Sequence, residues 1–263
     1  MAVADKEPAG SRYSVPALEK GLEILELLAR SPVGLNVTAI AQQLGRTTGE
    51  IYRVIQYLEG RGYLERDHAS DLYALSMRLF RLAHEHPPLK SLVSRAVPLM
   101  EELANAVGQS CHLAVLDRTS IVIVAQVDSP LPIRYSVRLG AQFPVWETSS
   151  GYLIAAFLTP DARRALADQL GRTVDASQIA EFEAKVAEIA AMGYEARQSQ
   201  LIPGIVNISN PVFGHNGQVA GALTVPFLSQ RTNRMSVDAT RKALVQTAST
   251  LSDQLGHDAG AGV

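Results

Sequence analysis

The stretch TAIAQQLGRTTGEIYRVIQYLEGRGYLERDHASDLYAL, Thr38–Leu75, decides the fold of the N-terminal part of this chain. Ile40, Ala41 and Leu44 recur at the spacing of one helical face. Asn36 or Thr38 is placed to cap that short helix. Gly45 ends it, and Arg46-Thr47-Thr48 makes the turn. From Thr48 to Glu59, Ile51, Val54, Ile55 and Leu58 form a second stripe, stopped at Gly60 to Gly62. Tyr63–Arg66 and Leu72–Leu75 are strand-like runs around polar Asp67-His68-Ala69-Ser70-Asp71, a hairpin pattern. Upstream, Val15, Leu18, Leu22, Leu25, Leu28 and Ala29 give another helical face, and Ser31-Pro32-Val33-Gly34 stops it. Helix, short helix, tight turn, helix and hairpin is the order of a winged helix-turn-helix. We assign it residues 13–75. A helical subdomain without a DNA role is the competing reading.

Downstream, Ser76–Glu85 continues as helix and Pro87-Pro88 breaks it, so residues 76–88 form a linker. Residues 89–257 read as a larger domain. Leu89–Val107 is a long helix containing Pro98. Cys111–Asp117, Ile121–Val127 and Ile133–Leu139 are strands. Helices follow over Ser149–Leu158, Pro160–Leu170 and Ser177–Met192. Strands return at Tyr194–Gln200, Ile205–Phe213 and Gln218–Phe227, the last two joined by His215-Asn216-Gly217, a hairpin turn. A helix over Val237–Leu255 precedes a loose tail, and residues 1–12 read as a disordered start. The fold class is α+β, with a mostly antiparallel sheet and helices on its faces.

The 263 residues are 47% hydrophobic and 19% charged, with a formal net charge of −2. No apolar run reaches the ~20 residues of a membrane span, and the polar start is not a signal peptide. The single cysteine, Cys111, excludes an intramolecular disulfide and a multi-cysteine metal site. A cytoplasmic protein is expected, with no membrane partner, metal or cofactor. Residues 1–75 carry eight basic and ten acidic side chains. Several acids fall on the first helix, expected to face away from DNA. Arg46, Arg53, Arg61 and Arg66 fall in the recognition helix and wing. Electrostatic attraction to phosphate should be modest, and binding should need two half-sites.

The whole chain, from about residue 15 to 255, resembles the IclR family of bacterial regulators. The phrases that carry this are ALEKGLEILELLA (Ala17–Ala29), TAIAQQLG (Thr38–Gly45), IYRVIQYLEGRGYLERD (Ile51–Asp67), HLAVLD (His112–Asp117), RLGAQFPV (Arg138–Val145), PGIVNISNPVF (Pro203–Phe213) and NGQVAGALTV (Asn216–Val225). The resemblance implies a winged helix-turn-helix joined to a GAF/PAS-like effector domain. It also implies a homodimer or homotetramer on a palindromic promoter site in double-stranded DNA.

The candidate DNA contacts are Arg46, Thr47, Thr48, Glu50, Tyr52, Arg53, Gln56 and Arg66. Gly49-Glu50 stand where the family commonly has Ser-Thr. Gly49 costs up to ~1 kcal/mol of helix stability, while Glu50 can accept from cytosine N4. Arg53 suits phosphate or guanine; Gln56 or Tyr52 suits backbone or base. The candidate effector contacts are Trp146, Thr148, Ser149, Ser150, Gly151, Gly204, Asn207 and Thr224. Thr148 or Ser149 can cap the helix that follows, whose free N–H groups suit a carboxylate. Trp146 and Tyr152 replace a family histidine and lysine; Asn207 replaces a cysteine. Thr224 and Pro226 replace serines, and Ser199 and Gln200 replace acids. An aromatic or partly apolar carboxylate is the expected effector.

No residue is assigned a catalytic role. A Cys111–His112 dyad is disfavoured, because neighbours in a strand point to opposite faces. A hydrolase using Ser149 or Ser150 with His112 needs a histidine within hydrogen-bond reach, and no sequence pattern provides one. His84-Glu85-His86 lacks metal spacing. A ligand-binding protein with a vestigial DNA-binding domain is the other alternative.

Overall fold

The computed structural model describes residues 15–85, 87–199, 202–231 and 233–257. The expected disordered start, His86, Gln200 and the tail beyond His257 lie outside the described residues. The chain divides into two compact units, one up to Pro87 and one from Pro88 onward.

In the first unit, helix α1 (Pro16–Arg30) opens on a proline, where a missing amide proton is harmless. Helix α2 (Val37–Gln43) is capped by Asn36 rather than Thr38: Asn36 Oδ1 accepts the Ala39 N–H at 2.8 Å. Helix α3 spans Thr48–Gly60. Strands β1 (Leu64–Asp67) and β2 (Leu72–Leu75) pair antiparallel, Leu64 opposite Leu75. Leu35 and Tyr73 exchange both backbone hydrogen bonds, at 2.9 and 2.8 Å, which ties the α1–α2 loop to the wing. Helix α4 (Arg78–Glu85) follows. Ile24, Leu28, Ile40, Ile51, Ile55, Leu64 and Tyr73 fill the core.

The apolar face expected for α1 is not the one that meets the core. The inward face of α1 is Gly21, Ile24 and Leu28, whereas Val15, Leu18 and Leu22 are at least half exposed. Leu18, Leu22 and Leu25 instead line an open apolar groove of about 750 Å³, shared with Val54 and Tyr57 of α3 and Leu79 and Leu82 of α4. Helix α1 thus carries two apolar stripes, and periodicity alone does not say which one meets the core.

In the second unit, helix α5 (Pro87–Val107) includes in its first turn the two prolines expected to break the chain, and so starts two residues before the expected Leu89. Six strands follow: β3 (Cys111–Asp117), β4 (Ser120–Val127), β5 (Gln142–Pro144), β6 (Glu195–Gln198), β7 (Ile205–Phe213) and β8 (Val219–Leu228). They form one antiparallel sheet in the order β5-β4-β3-β8-β7-β6. Helices α6 (Ser149–Ala156), α7 (Pro160–Leu170) and α8 (Ala176–Met192) lie between β5 and β6, and α9 (Val237–Gln254) closes the chain. The expected strand at Ile133–Leu139 does not form. That segment has no ladder partner, and pairing to β4 is made by Gln142–Pro144. Apolar alternation suits a strand, but a strand also needs an open edge in register.

The sheet is buried on both faces. Cys111 and Leu113 of β3 with Leu223, Val225 and Phe227 of β8 pack with α5 and α9. Ala114 and Ala222 pack with α6, α7 and α8. At the centre, a Cβ on Gly221 would lie 2.6 Å from the Ala114 carbonyl oxygen, so only glycine lets β8 approach β3 this closely.

Ile24 is fully buried. Ile24→Ala should destabilise the first unit by about 2–5 kcal/mol in urea unfolding of the whole protein. A loss under ~1 kcal/mol would place the core on the other stripe of α1.

Candidate functional site

The outward face of α3 presents Gly49, Tyr52, Arg53 and Gln56, all exposed and spaced three or four apart. Gln56 Nε2 donates to the Tyr52 hydroxyl at 3.0 Å. A Cβ on Gly49 would meet nothing within 4 Å, so this position leaves room for an approaching surface. Among the described residues Arg53 forms no ion pair. Thr48 is exposed at the first turn.

The other candidate DNA contacts have internal partners. Arg46 donates through Nε and Nη2 to Glu23 at 2.7 and 2.8 Å, a two-bond fork that ties the turn to α1. Glu50 Oε2 accepts both the backbone N–H and the hydroxyl of Thr47, each at 2.8 Å, which holds its carboxyl below its usual range. Lys20 approaches Glu50 at 3.6 Å. The expected cytosine contact of Glu50 would require breaking this cap. The first helix does not simply hold its acids away, because Glu23 grips the turn itself. In the wing, Arg66 Nε donates to Asp71 at 2.7 Å and its guanidinium lies 5.5 Å from the Tyr73 ring centroid.

The second unit holds two adjoining cavities around the start of α6. Thr148 Oγ1 caps the helix by accepting the Gly151 N–H at 3.1 Å. Ser149 and Ser150 are buried. The Ser150 and Thr224 hydroxyls lie 3.0 Å apart, and Thr224 meets the Ser209 hydroxyl at 2.8 Å. This chain of hydroxyls satisfies the buried polar row beneath α6. The first cavity, about 50 Å³, is lined by His112, Tyr135, Phe143, Ser149, Ser150 and Thr224 among others. The second, about 40 Å³, is lined by Tyr152, Lys185, Glu195 and Arg197 among others. Both share Thr148, Ser149, Ser199 and Asn207.

Three expected contacts do not line either cavity. Trp146 packs half-buried against the α6 side of the sheet, its carbonyl accepting the Tyr152 hydroxyl. Gly151 is required for packing: a Cβ there would lie 2.1 Å from the Val145 carbonyl oxygen. Gly204, with φ +85°, is exposed. The aromatic rings on the first cavity are Tyr135 and Phe143. Sequence reasoning missed these, together with Lys185, Glu195 and Arg197. It considered His112 only as a catalytic base. The signal for His112 was strand register, since it lies opposite Thr224 on the cavity face.

Two buried groups here are shifted. His112 Nδ1 has no hydrogen-bond partner, and burial pushes its pKa down to about 4, leaving it neutral. Burial pushes the Glu195 carboxyl up to about 7, against Arg197 and a hydrogen bond from Ser149 that lower it. On the opposite face of β3, burial raises the Cys111 thiol to about 12, so it is inert. Among the described residues no cluster of three or more His, Cys, Asp or Glu is placed to hold a metal ion.

Residues 89–253 match the family model described as the bacterial transcriptional regulator IclR C-terminal domain, and residues 17–68 match the IclR helix-turn-helix domain. The chain belongs to the IclR family. It is 29% identical over 257 residues to the glycerol operon regulatory protein of Streptomyces coelicolor, covering 95% of this chain and 98% of that protein. It is 26% identical over 250 residues to the regulator XynR of Escherichia coli, covering 93% and 99%. An IclR homologue of Microbacterium hydrocarbonoxydans, solved in complex with 4-hydroxybenzoate, shares the fold at a TM-score of 0.74 with 22% identity, covering 91% of this chain and 98% of that one. As an IclR-family member the chain is a DNA-binding transcription regulator controlled by a small-molecule effector. The α3 face lies in its helix-turn-helix domain, and the α6 cavities lie in its C-terminal domain.

The shifted groups of this IclR-family chain set opposite pH limits. Glu195 keeps its proton in the folded state between its ordinary 4.5 and about 7, so its contribution is lost as pH rises through that window. His112 stays neutral between 6.5 and about 4, so its contribution is lost as pH falls through that window. Relative to wild type, Glu195→Gln should gain about 2–3 kcal/mol on moving from pH 5 to pH 8. His112→Gln should gain relative to wild type on moving from pH 7 to pH 4. Urea unfolding at each pH checks both; parallel wild-type and variant curves would refute the assignment.

Proposed function

We propose that this regulator binds a palindromic promoter site in double-stranded DNA as a homodimer, and that an aromatic or partly apolar carboxylate controls it. The observation that carries the DNA half is the outward stripe of α3, where Arg53 forms no ion pair among the described residues and Tyr52 and Gln56 bond to each other, whereas Arg46, Thr47 and Glu50 hold the turn. Arg53 is assigned phosphate or guanine, and Gln56 a base edge. Thr48 sits at the start of α3, where free N–H groups favour a phosphate. Arg66 reaches an adjacent backbone by exchanging its exposed Asp71 partner, since such pairs hold weakly.

The dimer follows from two features. Unit one carries more acids than bases, so a single copy gains little from phosphate. Its groove along Leu18, Leu22, Leu79 and Leu82 is a large exposed apolar surface, and such surfaces mark interaction sites. A second copy of this face fits by symmetry, since two-fold contacts use the same patch on both partners. Action on a bacterial promoter supports a cytoplasmic protein. Among the described residues no helix is long and apolar enough to cross a membrane.

The effector half rests on Tyr135 and Phe143 lining a cavity whose floor carries Ser150 and Thr224 hydroxyls. The Microbacterium homologue solved with 4-hydroxybenzoate supports an aromatic acid. The cavity is far smaller than the ~300–1,000 Å³ of ordinary small-molecule sites, so the effector must enlarge it. Tyr135 and Val137, on the segment without strand pairing, form the wall that yields. A hydrolytic reading has one observation in its favour: His112, Ser149 and Ser150 share this cavity. Ser150 is already bonded to Thr224, and His112 Nδ1 has no orienting partner of the kind a catalytic base requires.

The test is a mobility shift on the DNA upstream of the protein's own coding region. Wild type should give a specific shift, and Arg53→Ala should weaken it by about tenfold or more, as expected for loss of 1–3 kcal/mol. No specific shift with any fragment would leave a vestigial DNA-binding domain as the reading. Leu18→Asp with Leu22→Asp should convert the dimer to monomer in sedimentation and abolish the shift. In a thermal-shift panel benzoate or 4-hydroxybenzoate should raise Tm. A rise with pyruvate or glyoxylate alone would refute the aromatic class.

A further inference from the structure

The cavity beside β6 holds a group that the effector reading leaves unused. Glu195 is 1% exposed, and its Oε2 has no hydrogen-bond partner. A buried carboxyl oxygen left unpaired costs free energy, so an orphan of this kind calls for an explanation. Its surroundings are rich in donors. Lys185, Arg197, Ser149 and Asn207 line the same cavity, and the capped start of α6 adds backbone N–H groups.

The charges facing Glu195 come from several elements. On its own strand, Arg197 Nε lies 3.5 Å from Glu195 Oε1. From α8 come Lys185 and Glu188, with Lys185 2.7 Å from Glu181 and Arg197 2.7 Å from Glu188. Glu147 lines the cavity from the turn before α6, and Tyr152 from α6 lies under Lys185, 5.2 Å from Nζ to the ring centroid. Across the ladder, Ser209 is opposite Glu195 and uncharged. His112, in the adjoining cavity, is neutral. Both cations are therefore already paired, and the site offers an entering anion donors rather than net positive charge. An ionised Glu195 would repel that anion, whereas a neutral Glu195 would hydrogen-bond to it.

We propose that Glu195 is a specificity-determining residue of the effector site that acts as the neutral acid, donating its O–H to the anionic group of the effector, so that a carboxylate enters together with one proton. The proton comes from solvent and remains on Glu195; no bond of the effector breaks. This inference rests on reading the α6 cavities as the effector site. Burial already holds this carboxyl at about 7 in the ligand-free protein, and a bound anion raises it further. Carboxylate affinity therefore falls as pH rises above about 7. A cationic or purely donating ligand would give the opposite slope.

Isothermal titration calorimetry of the full-length protein with benzoate and 4-hydroxybenzoate, at pH 6 and pH 8 and in two buffers of different ionisation enthalpy, tests this. At least one acid should bind wild type about tenfold more tightly at pH 6 than at pH 8, with close to one proton taken up per site at pH 8. Glu195→Gln, which keeps a neutral donor, should bind equally at both pH values and near the wild-type pH 6 affinity. A flat or rising wild-type affinity overturns the proposal, as does a slope that survives in Glu195→Gln. The wild-type proton count decides the matter should that variant fail to fold. Binding without proton uptake removes this proposal and leaves the effector site standing; absence of binding by either acid at either pH removes both.

Discussion

Strands β3 and β8 are buried on both faces, and the C-terminal unit is organised by that fact. Alternation sends Cys111, Leu113, Leu223 and Val225 to the α5/α9 side, and His112, Ala114, Ala222 and Thr224 to the α6 side. A central strand has no solvent face on which to place polar groups. Every polar side chain on the α6 side must therefore find a partner inside the protein or leave a donor or acceptor unmet. The hydroxyls of Ser150, Thr224 and Ser209 form a chain and meet this demand. His112 and Glu195 do not, and they flank the same helix start from two strands. The cavities sit where the sheet's polar row is incomplete.

The helix-turn-helix was readable in the sequence because its punctuation is local. Gly45 ends one helix, Asn36 caps it, and the isoleucines of α3 repeat at the helical period. What the sequence withheld was the partner of each apolar stripe. Leu18, Leu22 and Leu25 are as regularly spaced as Gly21, Ile24 and Leu28, and only tertiary packing separates them. The same limit applies to Ile133–Leu139, whose alternation is real but whose edge is taken by Gln142–Pro144. At the proposed effector site the Thr148–Ser150 cap was legible because capping is local. Tyr135, Lys185 and Glu195 were not, because strand order and the packing of α8 bring them in from distant segments.

The net acidity of the first unit acquires a structural meaning. Glu23 and Glu50 face the α2–α3 turn, and each holds part of it: Glu23 the Arg46 guanidinium, Glu50 the Thr47 amide and hydroxyl. A turn held at both ends presents α3 in a fixed attitude, so ordering it is not charged against DNA binding. Counting charges over residues 1–75 gives the net balance but not which groups face outward. Acids that clamp the turn are neutralised where they stand, while Arg53 remains available on the outward face.

On the proposed effector reading, the small volume of the α6 cavities constrains how an effector acts. A ligand shifts a conformational equilibrium only by its differential affinity for the two states. Here the closed state leaves about 50 Å³ and about 40 Å³, room for water but not for an aromatic ring. A ring-bearing effector thus has almost no affinity for the closed state, and its whole binding free energy, less the cost of opening, goes into the open one. Tyr135 and Val137 stand on a segment with no strand ladder to break, so opening there disturbs only side-chain bonds such as those from the Val137 N–H to Gln126 and from Gln230 to the Ile133 carbonyl. On the proposed effector reading, small closed cavities and a wall without ladder pairing make occupation and rearrangement a single event.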